Sequence, residues 1–460
     1  MQSGAKRGNE EAQSDTHHRA PGTPRPQVGV IFLTLFLDLM GFSIIFPLFP
    51  EILDYYFTIE GRESFIGAIV SQLQSLTGEA AGSERSFLVQ TLFGGVLGSV
   101  YSLLQFLFSP VWGQLSDRFG RRPILLITVF GNASSYLLWI VSDSFLLFFM
   151  ARVLGGVMSG NISTATAAMA DSTTRAERAK GMGLVGAAFG LGFILGPAIG
   201  GALAGLDVTK WWPSTPIPGL HPFSMAALAA FLLAVVNFVW VWRGFTETLA
   251  PERRGRGEEV RSINVLAFFS RRLGRDIHLA NVGYFVYLVA FSGMEFTLVF
   301  LVRDRFGWSP AEMGWGVFGY SGVLIVLVQG GVVRRLAPRI GEKKLALVGL
   351  GLVAPGLVAL AFAHGLPLLF VGLTLMAIGS ALTNPAYSSL VSLHASAEHQ
   401  GKVLGVFRSL GALGRAIGPL AACVAYWRFG SAAPYWCGAL ALAVPLLLMT
   451  RVRQPERAAA

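Results

Sequence analysis

Charge is scarce in this chain of 460 residues. Asp, Glu, Lys and Arg make up 13% of it, about half the share usual in soluble domains. A surface so poor in charge cannot be wetted all round, which excludes a soluble globular fold. Cysteine is almost absent as well. Cys423 and Cys437 are the two present. They stand in apolar stretches, make no disulfide framework or metal motif, and are expected as buried packing residues. There is no Walker loop, no HExxH and no nucleophile elbow. That argues against an enzyme and leaves no cofactor or metal to expect.

Long apolar runs take the place of charge. Val28 to Pro50 carries one charged residue, Asp38, while Met225 to Trp242 and Leu345 to His364 carry none. Each is close to the roughly 20 residues that a helix needs to cross about 30 Å of hydrocarbon. Twelve spans are expected, near 28–50, 89–110, 123–141, 145–169, 181–205, 223–242, 279–301, 313–333, 345–363, 366–390, 403–426 and 433–450. Residues 1–26 are polar and read as a disordered cytosolic tail, with no cleavable signal peptide expected.

The formal charge of +10 is distributed by topology. Of 36 Lys and Arg, 27 fall in the tails and in alternate loops, six on the opposite side, and Arg152, Arg408 and Arg415 inside spans. This positive-inside bias places both termini in the cytosol. The basic loops then serve as contacts to anionic lipid, and no nucleic-acid partner is expected.

The chain divides into an N-terminal half (27–242, with an outer loop at 51–88), a cytosolic linker (243–276), a C-terminal half (277–451) and a cytosolic tail (452–460). A repeat supports the division. Gly183, Gly192, Gly196 and Pro197 recur 222 residues later as Gly405, Gly414, Gly418 and Pro419. The expected fold class is an all-α membrane protein with twelve transmembrane helices in two six-helix halves and a solute site near the midplane between them. In the outer loop Phe65, Ile66, Ile69, Val70 and Leu73 fall at helical spacing, which suits either an interfacial helix or a packed cap.

The most specific motif is Gly113-Gln-Leu-Ser-Asp117-Arg118-Phe-Gly120-Arg121-Arg122-Pro123, in the turn between spans 2 and 3. Gly113 suits close helix approach and Gly120 a tight turn. Asp117 is placed to pair with an arginine or a helix N-terminus. The motif resembles the signature of the major facilitator superfamily (MFS). That resemblance implies that Gly113, Asp117, Arg118, Gly120, Arg121 and Arg122 gate the carrier by latching its outward-facing state. The second-half copy has Pro338 where the acid would stand, so an asymmetric latch is expected.

Gly190-Leu-Gly192-Phe-Ile-Leu-Gly196-Pro197-Ala-Ile-Gly200-Gly201 resembles the antiporter motif of twelve-span drug–proton exchangers. Gly192, Gly196, Gly200 and Gly201 smooth one helix face for contact between the halves, and Pro197 bends the helix. Leu37-Asp38-Leu-Met-Gly41, with Arg152-Val-Leu-Gly155-Gly156, is similar to tetracycline exporters. Phe291-Ser-Gly-Met-Glu295 and the stretch from Arg408 to Pro419 are similar to animal tetracycline-transporter-like proteins. The resemblance covers nearly all of 28–450. It implies proton-coupled export of tetracyclines, other drugs or organic anions. A bacterial inner membrane is the first expectation, and the animal likeness keeps a eukaryotic one open.

Ionisable groups inside a span are costly unless paired or wetted, and so are functional candidates. Asp38, Arg152, Glu295, Arg408 and Arg415 are the five. In the family, spans 1, 4, 7 and 10 line the cavity. The resemblance thus puts Asp38, Arg152 and Glu295 near one aqueous space with Asn161 and Asn384. Arg408 and Arg415 lie seven residues apart and share a helix face. They suit an anionic group through forked hydrogen bonds, or alternatively pair with Glu295 or Asp38 to hold the halves together. Arg408 also lies within reach of the cytosolic interface by snorkelling. A proton carrier must be an acid that exists both neutral and charged during the cycle. Glu295 is the first choice, with Asp38 supporting it or serving as a helix–helix hydrogen bond. Tyr284, Phe285, Tyr287, Phe291, Phe318, Tyr320 and Tyr387 are candidates for a drug-sized pocket.

The function expected is secondary active transport of an amphipathic compound in exchange for protons. An organic-anion exporter using the arginines, or a facilitator with no coupling, is the alternative. The partners are a small solute, protons and the bilayer, and a monomer is expected.

Overall fold

The computed structural model describes residues 27–61, 64–77, 86–173, 178–211, 219–251, 254, 274–395 and 400–454. The expected tail at 1–26, most of the linker and the last six residues lie outside the described residues. Those described are helical, without strands. Twelve helices among them are long and apolar enough to cross a bilayer: Val28–Glu60, Thr91–Phe119, Arg121–Ile140, Phe145–Asp171, Leu184–Lys210, Ser224–Gly244, Arg275–Phe306, Pro310–Ala337, Glu342–Ala361, Leu366–His394, Val403–Phe429 and Ala433–Arg451. They are numbered spans 1 to 12.

Hydropathy located every span but shortened several. Span 1 runs past Pro50 through a 3₁₀ turn at Phe46–Leu48 into a helix over Phe49–Glu60. Glu51 and Asp54 ended the apolar run without ending the helix. Ile52, Leu53 and Tyr56 bury its inner face. A further helix occupies Phe65–Thr77, and span 2 is already helical at Ser86. The outer loop expected at 51–88 is therefore mostly helix. Span 7 likewise begins at Arg275, inside the expected linker.

Two ends can be distinguished. The basic end carries the 120 turn, the segment after span 6 and the segment after span 12. At the far end the halves are locked. Asp54 of span 1 pairs with Arg303 of span 7. Gly95 of span 2 packs on Cys423 of span 11, and Gly201 of span 5 on Gly314 of span 8. Cys437, expected buried, is exposed on the outer surface of span 12.

The halves repeat each other in detail. Ser43 Oγ donates to the Gly192 carbonyl at 2.9 Å, and Ser292 Oγ to the Gly414 carbonyl at 3.3 Å. Each bond ties the first span of a half to its fifth. This fixes the register between spans 1 and 7, so the counterpart of Asp38 is Tyr287 and that of Glu295 is Phe46.

Candidate functional site

A cavity of about 2040 Å³ lies between the halves. It reaches the basic end, where Asp117, Arg121, Asp171, Ser392 and Leu393 form its rim. Phe106, Phe189 and Phe193 line it from the N half, and Tyr284, Phe291, Phe318 and Met376 from the C half. Glu295, Asn384, Arg408 and Arg415 face into it. A side chamber of about 50 Å³ adjoins it and shares Gln105, Phe193, Ser292, Glu295 and Arg415 with it. The rest of that chamber is largely aromatic, with Phe42, Phe46, Tyr101 and Phe296 beside Asp38 and Arg152.

The five in-membrane ionisable groups thus fall into two settings. Asp38 is 7% exposed and held in the N-half core, with Asn132 Nδ2 of span 3 donating to Oδ1 at 2.6 Å. Asn161 lies against the same carboxyl and does not line the cavity. Span 4 breaks at Ser159 and Gly160 just before Asn161. The Trp112 indole satisfies one freed carbonyl, donating to Val157 at 2.7 Å. Arg152 holds its guanidinium 4.5 Å from the centre of the Tyr101 ring and 5.6 Å from that of Phe42. Cation–π contacts of this kind partly replace lost hydration.

The C-half groups stand in the cavity wall. Arg415 lies 5.8 Å from the centre of the Phe189 ring, and no ion pair within 4.0 Å joins it to Glu295 or Asp38 among the described residues. Arg408, within reach of the interface by its depth, donates through Nη1 to Thr166 Oγ1 of span 4. Tyr284 stacks on Phe407 with centroids 4.2 Å apart. Tyr287 and Tyr387 are fully buried, and Tyr320 is hydrogen-bonded to Thr374 at 2.7 Å. Of the seven aromatic candidates, Tyr284, Phe291 and Phe318 face the cavity.

At the rim, Arg121 gathers Asp117 at 2.6 Å, Asp171 at 2.9 Å and Ser116 Oγ at 2.6 Å. Asp117 thus pairs within its own motif. Arg118 lies over Phe119, and Arg122 donates to the Trp242 carbonyl at 2.8 Å. Gly120 has φ +105° and turns the chain into span 3. A side chain there would also strike Glu247. Gly113 is not a tight approach, since a Cβ on it would meet only Ser163 Oγ, at 3.7 Å. Close approach falls instead at Gly156, against the Tyr101 backbone.

The glycines of the second motif divide the work. Gly192, Gly196 and Gly200 pack on Leu39, Ser43 and Ile44 of span 1, within the N half. Gly201 alone of the four meets the other half, and the Pro197 carbonyl also abuts Gly314 there.

Sequence reading missed two side chains. One is Asn132, a polar residue in an apolar span and so a helix–helix partner in principle. The other is Glu247, which accepts the backbone N–H of Arg121 at 2.9 Å and of Arg122 at 3.2 Å. It caps the N-terminus of span 3, where backbone donors otherwise lack partners. Gln454 does the same for span 9, accepting from Lys343 N–H at 3.1 Å beside Gly341, whose φ is +83°. Aligning the segments after spans 6 and 12 was the signal available for both caps.

The Major Facilitator Superfamily model matches residues 31–419 and 282–460. This chain belongs to that superfamily. Major facilitator superfamily domain-containing protein 10 of Bos taurus is 35% identical over 468 residues, covering 95% of this chain and 97% of the relative. The Escherichia coli class B tetracycline resistance protein is 32% identical over 376 residues, covering 81% and 87%. The crystal structure of the human organic anion transporter MFSD10 (TETRAN) superposes with a TM-score of 0.71 at 32% identity, covering 92% of this chain and 98% of that one. A bacterial homolog of the human lysosomal transporter Spinster shares the fold, with a TM-score of 0.68 at 14% identity. An MFS transporter architecture accounts for the two halves and the cavity between them, and its relatives are transporters rather than enzymes.

Proposed function

We propose that this protein is a proton-coupled secondary carrier for amphipathic organic compounds, working by alternating access. The observation that carries the reading is the placing of Glu295, Arg408 and Arg415 on the wall of one large, mostly apolar cavity. An apolar body suits the aromatic wall, and the few polar groups orient it. The positive-inside count assigns the basic end, and with it both termini, to the cytosol. The cavity then opens inward, and the Asp54–Arg303 pair with the glycine contacts closes the outer face. Rocking the halves about the midplane would break those contacts and close the rim around Arg121. Glu295 is the proton site in this reading. The compound leaves outward in exchange for a proton, as the likeness to tetracycline resistance proteins suggests. A second reading, transport of organic anions, is favoured by the two arginines on one face of span 11 and by the likeness to the human organic anion transporter.

The test is transport of labelled tetracycline and of a labelled aromatic sulfonate in proteoliposomes, with and without a pH gradient. Gradient-driven accumulation should vanish in Glu295→Gln while exchange of labelled for unlabelled compound persists. Intact gradient-driven accumulation in that variant contradicts the assignment.

A further inference from the structure

Glu295 and Arg415 line both the main cavity and the side chamber, so they stand at the junction of the two. They interact electrostatically without forming an ion pair within 4.0 Å. Other ionisable groups face the junction from neighbouring spans. Asp38 and Arg152 lie across the side chamber, with Tyr101 beside them. Tyr287 lies on Glu295's own helix, Tyr284 near Arg415, and Arg408 farther along the main cavity. Asp38 is already bonded to Asn132, and Arg152 already lies over two rings. Of the charged groups at this junction, the acid and the cation left to meet a solute are therefore Glu295 and Arg415.

Like charges placed together in a site of low dielectric repel strongly. An anionic group on Arg415 and an ionised Glu295 compete for the same guanidinium, so the anion binds better when Glu295 carries its proton. A cationic group needs the ionised carboxylate and so binds better when the proton is gone. Linkage makes each effect reciprocal. We propose that the charge of the solute sets the direction of the proton: an organic anion crosses together with a proton on Glu295, and an organic cation crosses in exchange for one. The proposal rests on the reading of Glu295 as the proton site. No bond is made or broken other than that of one proton to the Glu295 carboxyl, which is loaded on one side and released on the other.

The test uses two permanently charged probes of like shape, naphthalene-1-sulfonate and trimethyl(1-naphthyl)ammonium. Neither carries a titratable proton, so any proton that moves is the protein's. The purified carrier is reconstituted in liposomes with valinomycin and equal potassium on both sides, and a dye reports internal pH. Sulfonate influx should acidify the lumen, and ammonium influx should make it alkaline. Both signals should vanish in Glu295→Gln, with labelled sulfonate still entering and labelled ammonium entry reduced. In weakly buffered detergent solution, sulfonate binding should take up protons and ammonium binding should release them. The apparent affinity for sulfonate should fall about tenfold per pH unit once Glu295 deprotonates. Signals that vanish in Glu295→Gln but share one sign overturn this proposal alone. Signals that survive in Glu295→Gln overturn the proton-site reading and this proposal with it. Probe influx with no pH change, or no binding of either probe, overturns both.

Discussion

The two halves hold their carboxyls in opposite ways. In the N half, Asp38 is packed among spans 1, 3 and 4 with Asn132 bonded to it. In the C half, Glu295 stands in the cavity wall with no side chain bonded to it within the described residues. The repeat would suggest that the two acids are equivalent, one each on spans 1 and 7. The Ser43 and Ser292 bonds show that they are not. Glu295 corresponds to Phe46, about two helical turns nearer the far end than Asp38. A satisfied, buried carboxyl is suited to holding helices together. An unpaired one in the wall of a large cavity is suited to gaining and losing a proton. On the proposed reading, the duplicated scaffold carries structural polarity in one half and solute chemistry in the other.

Five changes would break or sharpen that contrast. The largest expected effect is on the C half. Arg415→Ala should weaken binding of an aromatic sulfonate about 10- to 100-fold, the worth of a charge-assisted hydrogen bond, while sparing a neutral solute of like shape. Competition binding would read it. On the N side, Asn132→Ala removes the donor to Asp38. It should cost about 1–3 kcal/mol of stability, seen as a lower unfolding temperature, with proton coupling kept in the fraction that remains folded.

The two helix caps offer a smaller comparison. Glu247→Ala strips a carboxylate from the start of span 3, and Gln454→Ala a neutral amide from the start of span 9. Losses of about 1.5–3 and about 0.5–1.5 kcal/mol are expected, by the difference between charged and neutral hydrogen bonds. Thermal unfolding of both variants would show the order.

The smallest effect is a pH dependence at the far end of the N half. Burial pushes the His221 imidazole below its ordinary range, opposed by its bond to the Trp139 carbonyl. The ring donates from Nε2 to that carbonyl at 2.7 Å and accepts the Phe223 N–H on Nδ1 at 3.2 Å, an arrangement for the neutral form. Its contribution is therefore complete above about pH 6.5, the unfolded value. It declines as pH falls below that, by at most about 1.4 kcal/mol per unit. His221→Gln should flatten this part of the acid slope of the unfolding temperature.

Much of this was legible in the sequence, for a physical reason. A bilayer forces long apolar helices and sorts basic residues to one side, and both leave direct traces in composition. The Gly120 turn and the five in-membrane ionisable residues were visible for the same reason. What stayed hidden depends on proximity across the fold. Asn132 and Glu247 are ordinary residues until spans 1 and 3, or the 120 turn and the segment after span 6, are brought together. Arg408 pointed to the interface by its depth alone, and only the position of Thr166 on span 4 turns it along the cavity. Gly113 fits its motif but not a tight contact. The far end of span 1 was lost because Glu51 and Asp54 look like a boundary in hydropathy, although the helix continues through them to Glu60.

One claim stands above the rest, the proposal that the exchangeable proton sits on Glu295 and not on Asp38. The direct test is solute-driven proton flux in proteoliposomes carrying Asp38→Asn and Glu295→Gln side by side, each with labelled-solute exchange as a control for folding. Asp38→Asn should still move protons with the solute, and Glu295→Gln should move solute without protons. Proton flux lost in Asp38→Asn and kept in Glu295→Gln would contradict it.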